Sequence, residues 1–222
     1  MARLYLGTSG WSYSEWEGVF YRRREGKLRY YASVFNTVEM DSSFYTCPTP
    51  DLVGRLARAL PSGFRMSVKM PGSITHRRML GRMGGVSSEL DAFLEAVRPL
   101  RSAGKLGAVL IQLPPGLERD DELLGKFLDS LDRSFRYAVE FRHPSWLCRD
   151  VLRILEEHEV AYTIVDEPLL PPKTHVTTDF AYIRWHGRGS RPWYNYRYSD
   201  RELMEWVPRV KRLMDTRLSW PR

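Results

Sequence analysis

The chain has 222 residues, of which 43% are hydrophobic and 27% are charged, an ordinary composition for a globular protein. No apolar run approaches the roughly 18 residues that a membrane-spanning helix needs, and the N-terminus lacks the apolar core of a signal peptide. These features argue against a membrane protein and predict a cytoplasmic location. The net charge of +7 admits nucleic acid or an anionic metabolite as a partner of this basic protein.

Strand-like and helical patterns alternate along the sequence. Short β-favouring runs that stop at glycine, proline or polar residues indicate strands, and apolar residues at helical spacing indicate helices. The predicted strands cover residues 3–10, 37–41, 64–71, 106–113, 137–143, 160–166 and 180–187. The predicted helices cover residues 27–35, 50–60, 88–102, 121–131, 149–159 and 199–214.

This alternation predicts a parallel sheet with helical crossovers, the arrangement of an α/β protein. Seven such units favour a closed or nearly closed β/α barrel of the TIM type over an open Rossmann sheet. The turn Gly7-Thr8-Ser9-Gly10 also lacks the G-x-G-x-x-G spacing of a dinucleotide site. We therefore expect a single barrel domain over residues 1–222, with seven clear strands and an eighth that is short or missing.

The cysteines Cys47 and Cys148 lie far apart and match no CxxC pattern. Because cytoplasmic proteins rarely form disulfides, we expect both side chains to be reduced, partly buried thiols.

Polar side chains stand at the C-terminal end of every predicted strand, where the active sites of β/α barrels lie. In the fifth strand, Glu140 and Arg142 are two positions apart, so both side chains point to the same face of an extended chain. His143 follows them, and Pro144 ends the strand. The strand ends together supply Ser9, Trp11, Glu39, Asp41, Tyr45, Lys69, His76, Gln112, Glu140, Arg142, His143, Asp166, Arg184 and His186. This pattern predicts a shared polar cavity.

Two chemistries fit these side chains, and the sequence leaves both open. Glu39, Glu140, Asp166 and His186 are donors that suit Mn²⁺, Mg²⁺ or Zn²⁺. A metal could activate water for phosphoester cleavage while Lys69, Arg142 and Arg184 bind phosphate oxygens. Alternatively, the carboxylates pair with these cations, and a carboxylate or histidine acts as a general base without a metal.

Aromatic residues crowd the loops at the same predicted face. They are Trp11, Tyr13, Trp16, Phe44, Tyr45, Trp146, Trp185, Trp193, Tyr194 and Tyr196. Aromatic rings interleaved with basic residues suit stacked bases of single-stranded nucleic acid. They suit a sugar or nucleotide pocket equally well, or a roof of packed rings over the barrel.

Several motifs in order resemble one family. The N-terminal Leu6-Gly7-Thr8-Ser9-Gly10-Trp11 run is followed by Gln112-Leu113-Pro114-Pro115, Val139-Glu140-Phe141-Arg142-His143 and Tyr182-Ile183-Arg184-Trp185-His186-Gly187. Together they resemble the YecE-like family, domain of unknown function 72, over nearly the whole chain. The resemblance implies a TIM-type barrel and supplies no established reaction, so fold alone cannot give the function.

This sequence departs from the family pattern at two places. Asp41 stands where an asparagine is expected after the acid of the second strand. The family usually continues into a further strand with a Phe-Asn-Asn motif and a closing helix, whereas this sequence has only 215–222 after its last predicted helix. Either Arg217 to Trp220 forms a short eighth strand, or the barrel is open and its two edges favour covering by another subunit.

The leading hypothesis is a hydrolase-type enzyme that acts on a phosphorylated or nucleic-acid substrate. Its predicted acids, bases or metal ligands are Glu39, Glu140, His143, Asp166 and His186. Its predicted substrate-binding residues are Ser9, Trp11, Tyr45, Lys69, His76, Gln112, Arg142, Trp146 and Arg184. The alternatives are a non-catalytic binder of nucleic acid or an anionic metabolite, and a degenerate barrel kept as a scaffold.

Overall fold

Helices and parallel strands alternate in the computed structural model, which describes residues 2–190, 192 and 195–215. The α-helices are α1 (Lys27–Val34), α2 (Pro50–Ala59), α3 (Ser87–Ser102), α4 (Asp121–Asp129), α5 (Arg149–Glu157) and α6 (Asp200–Asp215). The strands are β1 (Thr37–Met40), β2 (Arg65–Lys69), β3 (Leu106–Gln112), β4 (Tyr137–Glu140), β5 (Ala161–Asp166) and β6 (Tyr182–Trp185). All the predicted helices and the second to seventh predicted strands are confirmed.

The predicted first strand is extended but irregular. Its backbone meets β1 at a single bridge between Ser9 and Glu39. The Glu39 amide donates to the Thr8 carbonyl at 3.0 Å, and the Gly10 amide donates to the Glu39 carbonyl at 2.8 Å. Further back, the Leu6 amide donates to the Asn36 side-chain oxygen at 2.7 Å. A side-chain acceptor thus takes the place of a backbone carbonyl, and a regular ladder does not form here.

The chain divides into two compact units. The N-terminal unit consists of Tyr5–Ile111 and Ser130–Arg136, and the C-terminal unit consists of Met1–Leu4, Gln112–Asp129 and Tyr137–Arg222. In the N-terminal unit β1 pairs in parallel with β2, with Thr37 opposite Arg65, and β2 pairs in parallel with β3, with Met66 opposite Leu106.

Local sequence signals fix helix α2 of the N-terminal unit. The Thr49 side chain accepts the Leu52 amide at 3.2 Å, and Pro50 occupies the first turn, where its missing N–H costs nothing. The helix buries Val53 and Ala57. Apolar side chains from α3, including Phe93 and Val97, are also fully buried and extend the core of this unit.

The C-terminal unit contains three parallel strands in chain order. Ala138 of β4 lies opposite Ala161 of β5, and Thr163 of β5 lies opposite Tyr182 of β6. Every residue of β4 and β5 is buried, as expected of parallel strands covered on both faces. The unit therefore carries charged strand-end residues on a rigid apolar frame.

The barrel and the single domain stay predictions. The segment Arg217 to Trp220, predicted as an eighth strand, lies outside the described residues. Among the helices that the structure describes, none combines the length and apolar character required to cross a membrane. Cys47 and Cys148 are both free thiols; Cys148 is partly buried, as predicted, whereas Cys47 is exposed.

Candidate functional site

Glu140, the last residue of β4, is the centre of a cluster of charged side chains in the C-terminal unit. Its carboxylate accepts the Gln112 amide at 2.7 Å and a guanidinium N–H of Arg184 at 2.6 Å. His186 Nε2 lies 3.2 Å from Oε1 of Glu140, and Arg142 Nη1 lies 3.3 Å from the same oxygen. Together with Glu167, these residues form the Glu140 cluster, which consists of Gln112, Glu140, Arg142, Glu167, Arg184 and His186.

Glu167 belongs to the cluster, although it was not among the site residues predicted from the sequence. Its carboxylate forms an ion pair with Arg142 and is buried. Burial raises the pKa of Glu167 above its ordinary value, and Arg142 opposes that increase. The sequence did contain a signal: Asp166 and Glu167 are adjacent, so in an extended chain only one of them can face the side of β5 toward Arg142.

The Glu140 carboxylate is held in its ionised form. Burial alone would raise its pKa, but the Arg184 guanidinium, the hydrogen bond from His186 and the Arg142 guanidinium outweigh burial and hold the pKa of Glu140 well below its ordinary value. A buried carboxylate with such partners is stable as an anion, because each nearby cation and donor favours the charged form. Glu140 therefore acts as a fixed negative charge beneath the cations.

The acidic side chains of the cluster are less exposed to solvent than its arginine and histidine side chains. The side chains of Glu140 and Glu167 are 0% and 2% exposed. Those of Arg142, Arg184 and His186 are 20%, 10% and 16% exposed. The two arginine side chains and His186 thus keep partial contact with solvent, whereas both carboxylates are buried.

Asp166 forms a different contact set in the same unit. Both of its carboxylate oxygens accept the Arg188 guanidinium at 3.0 Å, and Oδ2 also accepts the Trp206 indole N–H of α6 at 2.9 Å. Arg188 continues to Glu205 of α6 at 3.2 Å. These contacts link α6 to the end of β5 and engage both oxygens of Asp166, whose catalytic role stays a prediction.

Replacing Asp166 with asparagine is expected to lower the free energy of unfolding by about 2 kcal/mol, because a charge-assisted pair with Arg188 and the bond to Trp206 are weakened. Urea unfolding followed by tryptophan fluorescence measures this loss. Asp150, an exposed carboxylate of the same unit, provides a control through Asp150→Asn, which is expected to change stability little. Equal stability of the Asp166→Asn variant and the wild type would contradict this assignment.

His143 and Trp146 serve local structure where the sequence predicted a base and a ligand contact. His143 Nδ1 lies 2.7 Å from the Ser145 hydroxyl and accepts the Ser145 amide, so it caps the turn Pro144–Trp146. Trp146 is 1% exposed, stacks on Phe141 and donates its indole N–H to the Leu117 carbonyl at 2.7 Å. Burial of the ring corrects its prediction as a stacking platform.

The N-terminal unit holds the other predicted site residues. The Ser9 hydroxyl donates to Glu39 at 3.1 Å, and the Trp11 carbonyl accepts the Tyr21 hydroxyl. Lys69 pairs with Asp41 at 3.1 Å. The Lys69 ammonium also lies 4.2 Å from the centre of the Phe44 ring. Asp41, the departure from the family pattern, therefore serves as the counter-ion of a buried lysine.

Tyr45 and His76 line an open groove of about 610 Å³ in the same unit, which we call the Tyr45 groove. The residues that line this groove include Phe44, Tyr45, Cys47, His76, Arg77 and Glu89. Of the loop aromatics noted in the sequence, Trp193 and Tyr194 lie outside the described residues. The prediction that all strand-end side chains share one cavity stays a prediction.

The predicted metal ligands do not form a fitting donor set in the described part of the chain, where no group of three or more His, Cys, Asp or Glu side chains could hold an ion. The physical reason is that their oxygens already serve other groups. Glu140 receives Arg184 and Gln112, and Asp166 receives Arg188 and Trp206. A cation placed there would meet guanidinium groups of the same sign.

The described residues define a parallel α/β protein with a buried carboxylate under arginine and histidine side chains at the end of its fourth strand. The chain belongs to the family described as "Protein of unknown function DUF72", whose model matches residues 5–220. The predicted family is thereby confirmed.

The chain is similar to several known members of this family. It is 33% identical to the UPF0759 protein YecE of Escherichia coli (strain K12) over 66% of this chain, and the match spans about half, 51%, of that relative. It is 25% identical to the UPF0759 protein YunF of Bacillus subtilis (strain 168) over 95% of this chain and 84% of that protein. A crystal structure of a DUF72 family protein from Thermotoga maritima MSB8 matches with a TM-score of 0.82 and 33% identity, covering 95% of this chain and 88% of that one.

Proposed function

We propose that this chain binds an anionic ligand through a phosphoryl group at the Glu140 cluster. The observation that carries the proposal is the difference in exposure: Arg142, Arg184 and His186 keep 10–20% of their side-chain surface exposed, whereas Glu140 and Glu167 are buried. A planar guanidinium is well matched to phosphate oxygens, and two of them beside an imidazole offer donors from several directions.

The buried carboxylates support this role by orienting the cations. Glu140 accepts from Arg184, and Glu167 pairs with Arg142, so each guanidinium is fixed in place before a ligand arrives. Pre-organisation of this kind lowers the entropy that a bound anion must overcome. The basic net charge of +7 assists the approach of an anion over a longer range.

Calorimetric titration with inorganic phosphate and pyrophosphate tests this proposal. The Arg142→Gln variant is expected to bind about tenfold more weakly, because it loses a charge-assisted contact to the anion. Arg98→Gln is the matched control, since Arg98 is a surface arginine of α3 that pairs with Glu95. Asp166→Asn is a second control, and neither should change the affinity.

Wild-type protein that binds neither anion, or equal affinity in wild type and Arg142→Gln, would show that the cluster is structural only. Raising the salt concentration should weaken binding to wild type more than to Arg142→Gln, because the variant makes fewer ionic contacts with the anion.

Hydrolysis of a phosphoester is the second candidate function, and the pair formed by Glu140 and His186 favours it. Arg142 and Arg184 would bind the non-bridging oxygens, and His186 would take a proton from the attacking water. The water oxygen bonds to phosphorus as the ester P–O bond breaks, and the leaving oxygen takes a proton from solvent. Glu140 would stabilise the positive charge that develops on His186.

Turnover of p-nitrophenyl phosphate and its diester by wild type and His186→Gln separates the two functions. Loss of turnover with retained phosphate binding supports hydrolysis, and binding without turnover supports a binder only. Nucleic acid, oligomerisation through strand edges and a cytoplasmic location remain predictions from the sequence. We also propose that the fold is a β/α barrel, because a barrel requires parallel strands that follow one another in chain order and are joined by helices.

A further inference from the structure

The Tyr45 groove of the N-terminal unit has the size and chemistry of a small-molecule site that the proposed function does not use. Its volume of about 610 Å³ lies within the range of ligand pockets. It is lined by an exposed aromatic ring, a histidine, an arginine and a glutamate, a combination of apolar and polar groups that can fix a ligand's orientation. All of these residues lie within one compact unit.

Glu89 supplies an acceptor that needs a donor. It lies in the first turn of α3, and its Oε1 pairs with Arg78 at 3.2 Å. Its Oε2 is buried and has no hydrogen-bond partner among the described residues. A carboxylate oxygen that has neither water nor a donor is costly. Because the Glu89 side chain as a whole is 35% exposed, a small rotation would turn this oxygen toward the groove, where a ligand N–H would form a strong, charge-assisted hydrogen bond.

Tyr45 supplies a flat apolar surface at the same groove. This residue is 77% exposed, which is unusual for a large aromatic residue and typical of a stacking surface. Phe44 beside it is fixed from three sides: its ring lies 4.9 Å from His76 and 4.2 Å from the Lys69 ammonium, and a Cβ at Gly72 would approach it to 2.8 Å. The aromatic wall is therefore rigid.

Unusual backbone carries His76 and Arg77 to this groove. Ser73–Arg77 form a single π-helical turn, a conformation that is frequent at functional sites. Two non-glycine residues follow in the left-handed region, Met79 with φ 47° and Leu80 with φ 61°. Such strain costs of order 1–3 kcal/mol at each position, and it concentrates at binding sites. This backbone presents His76 and the exposed Arg77 to the groove.

From these observations we propose that the Tyr45 groove binds a nucleotide whose base carries an exocyclic amino group. The base stacks on Tyr45, its amino group donates to Glu89 Oε2, and its phosphate contacts Arg77. A carboxylate distinguishes cytosine, whose exocyclic group donates, from uracil, whose exocyclic group accepts. This site is independent of the Glu140 cluster, so either proposal can fail without the other.

Protection of Cys47 from alkylation tests the proposal directly, because this exposed free thiol lines the groove. Cys47 and Cys148 are the two cysteines of the chain, so Cys148→Ser leaves Cys47 as its single thiol. The rate of maleimide labelling is measured with increasing CMP or UMP in that background. CMP is expected to protect at about tenfold lower concentration than UMP.

Two variants assign the contacts. Glu89→Gln should remove the preference for CMP, because an amide can pair with uracil as well as with cytosine. Tyr45→Ala should weaken protection by both nucleotides about tenfold while the preference remains. Glu95→Gln is the matched control on the same helix, and it should behave like the parent.

Several outcomes would overturn the proposal. Equal protection by CMP and UMP, or no protection by either at millimolar concentration, would remove the base-binding role. Protection by inorganic phosphate as effective as that by CMP would show that Arg77 attracts anions without reading a base. Stronger protection by arginine methyl ester than by CMP would identify Glu89 as part of a cation site.

Discussion

Replacing Glu140 with glutamine is expected to lower the free energy of unfolding by about 3 kcal/mol at pH 7. Breaking a buried ion pair by removing one partner usually costs about 3–5 kcal/mol, because the remaining charge stays buried without compensation. Arg184 and Arg142 retain some solvent contact, and Arg142 keeps its pair with Glu167, so the lower end of that range applies. Urea unfolding of both proteins gives the difference.

The difference in unfolding free energy between the wild type and Glu140→Gln should become smaller at low pH. Because the pKa of Glu140 is lowered by folding, its contribution is complete above the ordinary value of about 4.3. Below that pH the unfolded chain binds a proton before the folded chain does, so the contribution falls as pH falls toward the lowered pKa. The difference in stability between the wild type and Glu140→Gln should therefore stay constant from neutral pH to about pH 4.3 and become smaller as the pH falls further.

Glu95→Gln provides the matched control, since Glu95 is an exposed glutamate of α3. It is expected to change stability by less than about 0.5 kcal/mol. A Glu140→Gln protein as stable as the wild type at pH 7, or a difference that stays constant down to pH 3, would show that the carboxylate is not held as described.

Replacing Gly7 with alanine is the second large prediction, with an expected loss of about 3 kcal/mol or more. An added Cβ would lie 1.9 Å from the Thr37 carbonyl oxygen and 2.9 Å from the Tyr31 hydroxyl. The first contact is with backbone, so side-chain rotation cannot relieve it, and overpacking costs of about 1–3 kcal/mol are exceeded when the chain itself must move. Urea unfolding again measures the loss.

Gly116→Ala is the control for this substitution, because a Cβ there meets no atom within 4 Å and the backbone is not left-handed. That variant should be neutral or slightly stabilising, since alanine reduces the entropy of the unfolded chain. If Gly7→Ala were equally neutral, the N-terminal segment would not lie against β1 as the structure has it.

The sequence predicted the helices and most strands because their signals are local. Apolar spacing and the Thr49 and Pro50 cap define α2, and an apolar run bounded by Pro114 defines β3. The sequence also predicted that Glu140 and Arg142 act together, because two residues of separation places both on one face of a strand. These inferences need only neighbours in sequence.

Partners from distant strands could not be predicted in the same way. Asp166 was selected and Glu167 was not, because which of two adjacent acids faces Arg142 depends on where β5 ends and how it pairs with β6. Arg188 and Trp206 were missed for the same reason, since α6 meets Asp166 only after folding. Trp146 resembled an exposed platform because burial of a loop aromatic is a tertiary property.

Because buried Glu140 lies beside Arg184 and Arg142, binding of an anion would be coupled to protonation of the Glu140 carboxylate. An anion that draws Arg184 or Arg142 toward itself takes electrostatic support away from Glu140, and the acid becomes easier to protonate. Anion capture and proton uptake are then coupled processes, each favouring the other. Only acidification toward the lowered pKa of Glu140 would protonate it, and anion binding would then become tighter for as long as the fold persists.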